Sequence, residues 1–171
     1  LCDRRQRQMC IRDRAYLINH FLDQFKGTVY RQTMFAEFER ELGRMAERGE
    51  TLTADALDEK YLALNRLYFG PDMISDDGIA LEWARIPHFY YNYYVFQYAT
   101  GFSAAVALAD RILREGEPAV ADYKRFLSGG SSTDPISLLK LAGVDMSTPA
   151  PVDAALAMFG ELVDELDALT R

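Results

Sequence analysis

The chain has 171 residues, of which 49% are apolar, 26% charged and 12% aromatic, and its formal net charge is −7. This length suits one domain of about 100–200 residues, and the composition excludes a disordered tail, a collagen-like fibre and a disulfide-stapled miniprotein. The negative charge gives no general attraction for nucleic acid or for an anionic membrane surface. No apolar stretch approaches the roughly 20 residues of a membrane span. We therefore expect a soluble, acidic, globular protein with neither nucleic acid nor membrane as a partner.

The first fourteen residues differ in composition from the rest of the chain. Residues 1–14, LCDRRQRQMCIRDR, carry five arginines and both cysteines, Cys2 and Cys10. They lack the apolar segment of a secretory signal, and two distant cysteines without a partner histidine are a weak metal or redox pattern. The string resembles an out-of-frame translation of a sequencing adapter, with a genuine basic arm as the alternative. We predict a non-native leader over residues 1–14, and a cysteine-free protein over residues 15–171 that suits the reducing cytoplasm.

The apolar residues from Ala15 to Arg48 predict one long helix. They recur at intervals of three, four or six residues, as on one face of a helix, and Gly27 is the weak point of the pattern. Gly49 follows where a left-handed C-terminal cap is expected. Thr53 then predicts the N-cap of a second helix, which Gly70-Pro71 ends.

The second half of the chain is also predicted to be helical. Asp76 and Asp77 precede a short helix, whose start they suit by charge. Pro87 suits the first turn of a long helix, because its missing N–H costs nothing there. The predicted helices cover residues 79–85, 88–113, 117–126, 135–142 and 153–169. Without a strand pair, an internal repeat or a long linker, the sequence predicts an all-α fold with one domain over residues 15–171.

One segment carries groups suited to chemistry. Residues 85–101, RIPHFYYNYYVFQYATG, hold five of the ten tyrosines and one of the two histidines. Several phenol hydroxyls are costly to bury without partners, whereas neutral phenols beside an imidazole are suitable donors for a developing oxyanion. The alternative interpretation is an aromatic packing helix whose hydroxyls reach backbone carbonyls. On a helix, one arc of about 160° would contain His88, Tyr90, Tyr91, Tyr94 and Tyr98.

Other candidate sites are weaker. His20 and Asp23 are a weak candidate pair of metal ligands. The alternative is that His20 is an ordinary packed histidine of the helix. Because His20 and His88 are the only histidines, the chain contains no HExxH zinc motif. It also lacks a glycine-rich phosphate loop, a GxSxG elbow and a CxxC pair. We therefore predict no metal site within this chain.

Several motifs in this order resemble a known family. Residues 25–39 (FKGTVYRQTMFAEFE), 80–90 (ALEWARIPHFY) and 94–105 (YVFQYATGFSAA) resemble oligoendopeptidase F, a zinc metallopeptidase of the thimet oligopeptidase group. Residues 138–146 (LLKLAGVDM) look like the C-terminal region of that family. The resemblance covers about residues 15–171. It implies the helical C-terminal part of a catalytic domain that surrounds a deep channel for short peptides.

The resemblance also implies which residues act. In the family, a histidine and tyrosines downstream of the metal contact the substrate carbonyl and stabilise the tetrahedral intermediate. The residues that match catalytic positions are His88, Tyr91, Tyr94 and Tyr98, and those assigned to substrate binding are Tyr90 and Arg85.

The tyrosine register stays open at this point. Related peptidases use two tyrosines seven positions apart, which Tyr91 and Tyr98 match. The pattern of this family instead favours Tyr90, Tyr94 and Tyr98. Phe96 stands where tyrosine is common in the family, so a hydroxyl at that position is dispensable.

The activity and partners implied by the resemblance are those of a peptidase. The complete protein would be a cytoplasmic, zinc-dependent endopeptidase that hydrolyses short peptides. Its zinc ligands, two histidines of an HExxH helix and a further glutamate, would lie upstream of Ala15. This chain would then bind no zinc, be inactive alone, and pair with the missing upstream part of the same catalytic domain. The alternative is a non-catalytic helical module of the same origin that binds a peptide or a partner helix.

Overall fold

The regular structure of this protein is helical throughout the range that the structure describes. The structure, a computed structural model, describes residues 2–171, with side chains from Cys10 onward. Its α-helices are α1 (Cys2–Phe25), α2 (Arg31–Glu47), α3 (Ala54–Phe69), α4 (Phe96–Glu115), α5 (Glu117–Ser128), α6 (Pro135–Leu141) and α7 (Ala150–Thr170). A π-helical turn (Lys26–Tyr30) and two 3₁₀ helices (Asp77–Arg85 and Pro87–Tyr90) complete them. No strand occurs over residues 2–171, so the all-α prediction is confirmed.

The long helix predicted from Ala15 to Arg48 is present, with a defect at its weak point. Helix α1 continues into a π-helical turn that contains Gly27, and α2 follows directly at Arg31. A π turn inserts one extra residue into the helix, which is an ordinary way to shift the apolar stripe. The apolar face of α2 is then formed by Met34, Phe35 and Phe38, all buried.

The predicted helix ends agree with the observed caps. The hydroxyl of Thr53 accepts a hydrogen bond from the Ala56 amide at 3.3 Å, and the Asp134 carboxylate accepts one from Ser137 at 2.9 Å. Gly49 adopts φ 75°, the left-handed conformation expected after α2. Each cap satisfies backbone groups that a helix leaves unpaired at its ends.

The predicted helix from His88 to Leu113 is wrong over its first part. Residues Pro87–Tyr90 form a 3₁₀ turn, residues 91–95 are not helical, and α4 begins only at Phe96. The chain bends at Asn92 (φ 49°) and Tyr93 (φ 59°), both in the left-handed region. Two consecutive residues in that region cannot continue a right-handed helix. The single helical arc proposed for the tyrosines therefore does not exist.

The described chain packs as two compact units. One unit consists of Gly27–Ala99, and the other of the chain up to Lys26 together with Thr100–Arg171. The core of the Gly27–Ala99 unit lies where α2 meets α3. Its buried members are Met34, Phe35, Phe38, Leu57, Tyr61, Leu64, Ile86 and Val95.

The other unit has two packed regions. Helix α1 lies against α7, where the ring of Phe25 is 4.7 Å from that of Phe159. A second apolar group contains Ala104 and Leu108 of α4 with Ala142 and Val144 after α6. None of the helices over residues 2–171 combines the length and apolarity needed to cross a membrane.

Candidate functional site

Apolar side chains attach the segment 86–98 to the core of its unit. Ile86 and Val95 are buried in the core of the Gly27–Ala99 unit. Between them, the Phe89 ring packs at 5.5 Å from Phe35 and 5.3 Å from Phe38. Because these side chains point into the core, the polar aromatic residues of the same segment are left at the surface.

Four of the predicted site residues form one cluster of rings. The His88 ring stacks on Tyr94, with centroids 5.8 Å apart and planes 12° apart. It meets Tyr91 and Tyr98 edge to face, at 6.0 and 5.8 Å. The Tyr94 ring is in turn 5.5 Å from that of Tyr98. We call His88, Tyr91, Tyr94 and Tyr98 the aromatic cluster.

The polar atoms of the aromatic cluster are close enough to interact. The Tyr98 hydroxyl lies 3.4 Å from Nε2 of His88. A hydrogen bond with Tyr94, together with partial burial, raises the pKa of Tyr98 above its ordinary value. The Tyr98 hydroxyl therefore keeps its proton at neutral pH. Since Tyr94 and Tyr98 are each 39% exposed, a ligand can reach them.

The remaining two predicted residues lie outside the aromatic cluster. Tyr90 is 80% exposed, and no ring contact of the described residues joins it to His88. Arg85 donates a hydrogen bond to the Glu82 carboxylate, and most of its side chain faces solvent. Both side chains are thus accessible.

Arg85 belongs to a network centred on a buried carboxylate. Glu82 is 6% exposed. Its Oε1 accepts from Arg31 at 2.6 Å and also from Arg85, while its Oε2 accepts from the Tyr61 hydroxyl at 2.6 Å. Burial alone would raise the pKa of Glu82, but the hydrogen bonds from Arg31 and Tyr61 hold it below its ordinary value. The network joins α2 and α3 to the 3₁₀ helix that precedes the cluster.

One further residue beside the aromatic cluster, Glu39, was not predicted from the sequence. Oε1 of Glu39, on α2, accepts a hydrogen bond from the backbone N–H of Tyr93 at 3.1 Å. Glu39 is 8% exposed, and its Oε2 has no hydrogen-bond partner among the described residues. One signal was available: Glu39 stands four residues after the buried Phe35, so a charged residue occupies the apolar face of a helix.

Burial dominates the electrostatics of Glu39. Removal from water raises the pKa of its carboxyl, and this effect outweighs the Tyr93 amide and the charge of His88, which both favour the ionised form. A raised pKa of this origin marks a carboxylate with too few partners.

The described side chains do not form a metal site. The His20 ring stacks on Tyr16 at 6.5 Å, and the Asp23 carboxylate accepts from Asn19 at 3.5 Å. Over residues 10–171, no three His, Cys, Asp or Glu side chains come together closely enough to bind a metal ion. The donor set described here therefore does not fit a zinc ion.

A cavity of about 790 Å³ lies in the unit that contains Thr100–Arg171. It is lined by α4, α5 and the segment 130–139, with Leu108, Phe126 and Leu138 among its walls. No charged side chain is among the described lining residues. The cavity therefore offers apolar contact rather than acid–base chemistry.

Comparison with known proteins identifies the family. The sequence profile of peptidase family M3 matches residues 4–158, which is most of the chain. The chain belongs to peptidase family M3. The resemblance inferred from the sequence motifs is confirmed.

Individual relatives agree with this assignment. The chain is 56% identical to oligopeptidase PepF of Bacillus subtilis over 92% of its own length, and 46% identical to group B oligopeptidase PepB of Streptococcus agalactiae over 92%. It superimposes on the crystal structure of oligoendopeptidase-F from Enterococcus faecium with a TM-score of 0.91 at 50% identity. That alignment covers 94% of this chain and 31% of the crystallised one. The chain spans about a quarter of the length of the two curated relatives, 24% and 26%.

Proposed function

We propose that the complete protein is a zinc-dependent endopeptidase that hydrolyses short peptides, and that this chain supplies its transition-state-stabilising surface. Membership of peptidase family M3 and relatives named oligopeptidases support the reaction class. The observation that carries the role of this chain is the aromatic cluster, in which one imidazole and three accessible phenols converge.

The cluster suits the charge that develops during peptide hydrolysis. When water adds to the scissile carbonyl, the carbonyl oxygen becomes an oxyanion that needs hydrogen-bond donors. The Tyr98 hydroxyl keeps its proton at neutral pH, and its contact with Nε2 of His88 places both groups side by side, where either can turn a donor toward the oxyanion. Donors already fixed before reaction cost no reorganisation when the charge appears.

Tyr90 and Arg85 are proposed to bind the peptide outside the reacting centre. Arg85 is anchored by Glu82 while its guanidinium faces solvent. Such a cation can pair with a carboxylate of a peptide substrate. The exposed Tyr90 ring, five residues further along the chain, offers apolar area.

Zinc is assigned to the complete protein and not to this chain. Because no described group of side chains fits a metal ion, we propose that the ligands lie in a part of the catalytic domain that this chain does not include. Bound zinc would supply a polarising Lewis acid and an acidified water. The chain alone is accordingly expected to be inactive, with that missing part as its partner.

Residues 1–14 remain a proposed non-native leader, and the cytoplasm remains the proposed location. Sequencing the DNA upstream of the Ala15 codon tests the leader. An open reading frame that encodes HExxH would support it. A genuine start codon followed by the same fourteen residues would contradict it.

Two substitutions in the complete enzyme test the role of the cluster. We expect His88→Ala and Tyr98→Phe each to lower kcat about 10²–10³-fold, because each removes a donor to the oxyanion. Steady-state kinetics on a short peptide measure kcat, and metal analysis checks that zinc content is unchanged. Tyr16→Phe is the matched control, since Tyr16 contacts His20 rather than the cluster.

The outcomes separate catalysis from binding. An unchanged kcat in both variants would contradict the proposed role. If such variants instead bound a peptide less tightly with kcat intact, the non-catalytic peptide-binding module would be the better interpretation.

A further inference from the structure

The bend inside the candidate site includes a backbone conformation that is unfavourable for tyrosine. Asn92 and Tyr93 are consecutive non-glycine residues at φ 49° and 59°. Asparagine adopts this region readily, but a bulky residue such as Tyr93 occupies it only where its surroundings compensate, and such positions concentrate at functional sites. The turn lies between His88 and Tyr98, so its shape decides where their neighbours Tyr91 and Tyr94 lie.

One face of α2 supplies the compensating contacts. The Glu39 carboxylate accepts the Tyr93 N–H at 3.1 Å. One helical turn further on, a Cβ built on Gly43 would lie 2.5 Å from the Tyr93 hydroxyl oxygen, so glycine leaves room for this ring. Residues four apart lie on the same helix face, so on one face of α2 Glu39 binds the backbone of Tyr93 and Gly43 leaves room for its ring.

We infer that Glu39 is a positioning residue for the aromatic cluster, acting through its hydrogen bond to the Tyr93 amide. The inference rests on the proposed function. Glu39 fixes the turn, and the turn brings Tyr91 and Tyr94 into ring contact with His88 although the segment is not one helix. Small displacements of oriented groups lower the rate of the chemical step steeply.

The acceptor oxygen of Glu39, rather than its charge, performs this role. Only Oε1 is bonded, and Oε2 is buried without a partner among the described residues. Burial raises the pKa of the carboxyl, because removal from water penalises the ionised form. A neutral amide oxygen at the same reach can accept the same hydrogen bond.

Two substitutions in the complete peptidase separate reach from charge. Glu39→Gln keeps the reach and removes the charge, and we expect kcat close to that of the wild type. Glu39→Asp keeps the charge but withdraws the oxygen by one methylene, and we expect kcat to fall about tenfold or more with KM little changed. Rescue by the amide alone is a result that a purely structural loss would not produce.

Glu37→Asp is the matched control. Glu37 is on the same helix and accepts the Tyr68 hydroxyl at 2.7 Å, away from the 91–95 turn. The same shortening there is expected to lower the melting temperature without lowering kcat. If Glu39→Asp does not fold, Gly43→Ala displaces Tyr93 from the same face, and we expect it to lower kcat while Glu39 is intact.

The results distinguish this inference from the proposed function. If His88→Ala and Tyr98→Phe lower kcat and Glu39→Asp does not, the positioning role is wrong and the proposed function stands. A Glu39→Gln variant as impaired as Glu39→Asp also overturns it, because charge would then be essential. If the cluster variants leave kcat unchanged, a crystal structure of Glu39→Asp decides: displaced Tyr91 and Tyr94 rings support positioning, and unmoved rings overturn it.

Discussion

Two buried glutamates of the Gly27–Ala99 unit have similar burial and opposite surroundings. Glu82 is 6% exposed and Glu39 is 8% exposed. Both oxygens of Glu82 are bonded, to arginines on one side and to Tyr61 on the other. Glu39 has one bonded oxygen, and its donor is a backbone amide. The pKa of Glu82 is held below its ordinary value and that of Glu39 is raised above it.

The difference shows that burial alone does not decide the role of a carboxylate. Burial penalises the charge of both groups. At Glu82, the arginine and tyrosine partners offset that penalty. The Glu82 carboxylate then links secondary-structure elements. A single amide does not offset this penalty at Glu39. We therefore expect the Glu39 carboxylate to fix the local backbone conformation. The comparison predicts different responses to mutation at the two sites.

The largest expected effect is loss of Glu82. Glu82→Ala leaves the Tyr61 hydroxyl, on a side chain with 0% exposure, without its acceptor and leaves Arg31 unpaired. We expect a loss of about 3 kcal/mol in the free energy of unfolding, because buried donors without partners are costly. Denaturant unfolding measures it. Glu39→Ala leaves one backbone amide without its acceptor but also removes a poorly compensated charge. We expect it to lose less free energy of unfolding. Equal losses would erase the contrast.

The pH dependence of stability should have opposite signs at the two sites. Because the folded-state pKa of Glu82 is lowered, its stabilisation is present above the ordinary pKa of 4.5 and is lost as the pH falls through the folded value. Because that of Glu39 is raised, its contribution is present in acid and is lost as the pH rises through the folded value.

Melting temperatures across pH measure this difference. Relative to the wild type, Glu82→Gln should be least stable at neutral pH and approach it in acid. The melting temperature of Glu39→Gln, relative to that of the wild type, should be highest at neutral pH, and this relative gain should shrink in acid. The same sign of pH dependence in both variants would contradict the comparison.

The smallest expected effect concerns a third carboxylate of intermediate burial. Glu37 accepts the Tyr68 hydroxyl at 2.7 Å, and burial with this hydrogen bond raises the pKa of Tyr68 to about 12. Tyr68→Phe should cost about 1 kcal/mol, the ordinary net value of one such hydrogen bond. Denaturant unfolding measures the cost, and ultraviolet titration of the wild type checks the late ionisation. A cost as large as that of Glu82→Ala would show that partner number is not what separates these sites.

Signals confined to a few neighbouring residues were readable from the sequence. The caps at Thr53 and Asp134 each join atoms three residues apart. The left-handed Gly49 and the proline-led starts of α5 and α6 are equally local. These features depend on the backbone geometry of one turn, so the helices and the all-α class were predictable.

The site was predictable in its residues but not in its shape. The density of tyrosines around His88 and the family motifs pointed to the segment in which these rings cluster. The assumed helix was nevertheless wrong, because Asn92 is only a weak local signal for a left-handed residue and nothing local predicts that Tyr93 is left-handed too. Four of the rings still converge, by a turn in place of a helical arc.

The sequence by itself therefore determined the all-α class, the helix caps at Gly49, Thr53 and Asp134, the family and the chemical groups of the candidate site. The tertiary structure decided which of those groups meet. Glu39 and Tyr93 are 54 positions apart, and Glu82 and Arg31 are 51 apart. Such contacts depend on how α2 packs within its unit, and a long-range contact has no signature in the spacing of neighbouring residues. The conformation of the 91–95 turn follows from that packing, because only tertiary contacts compensate for the unfavourable backbone angles in the turn.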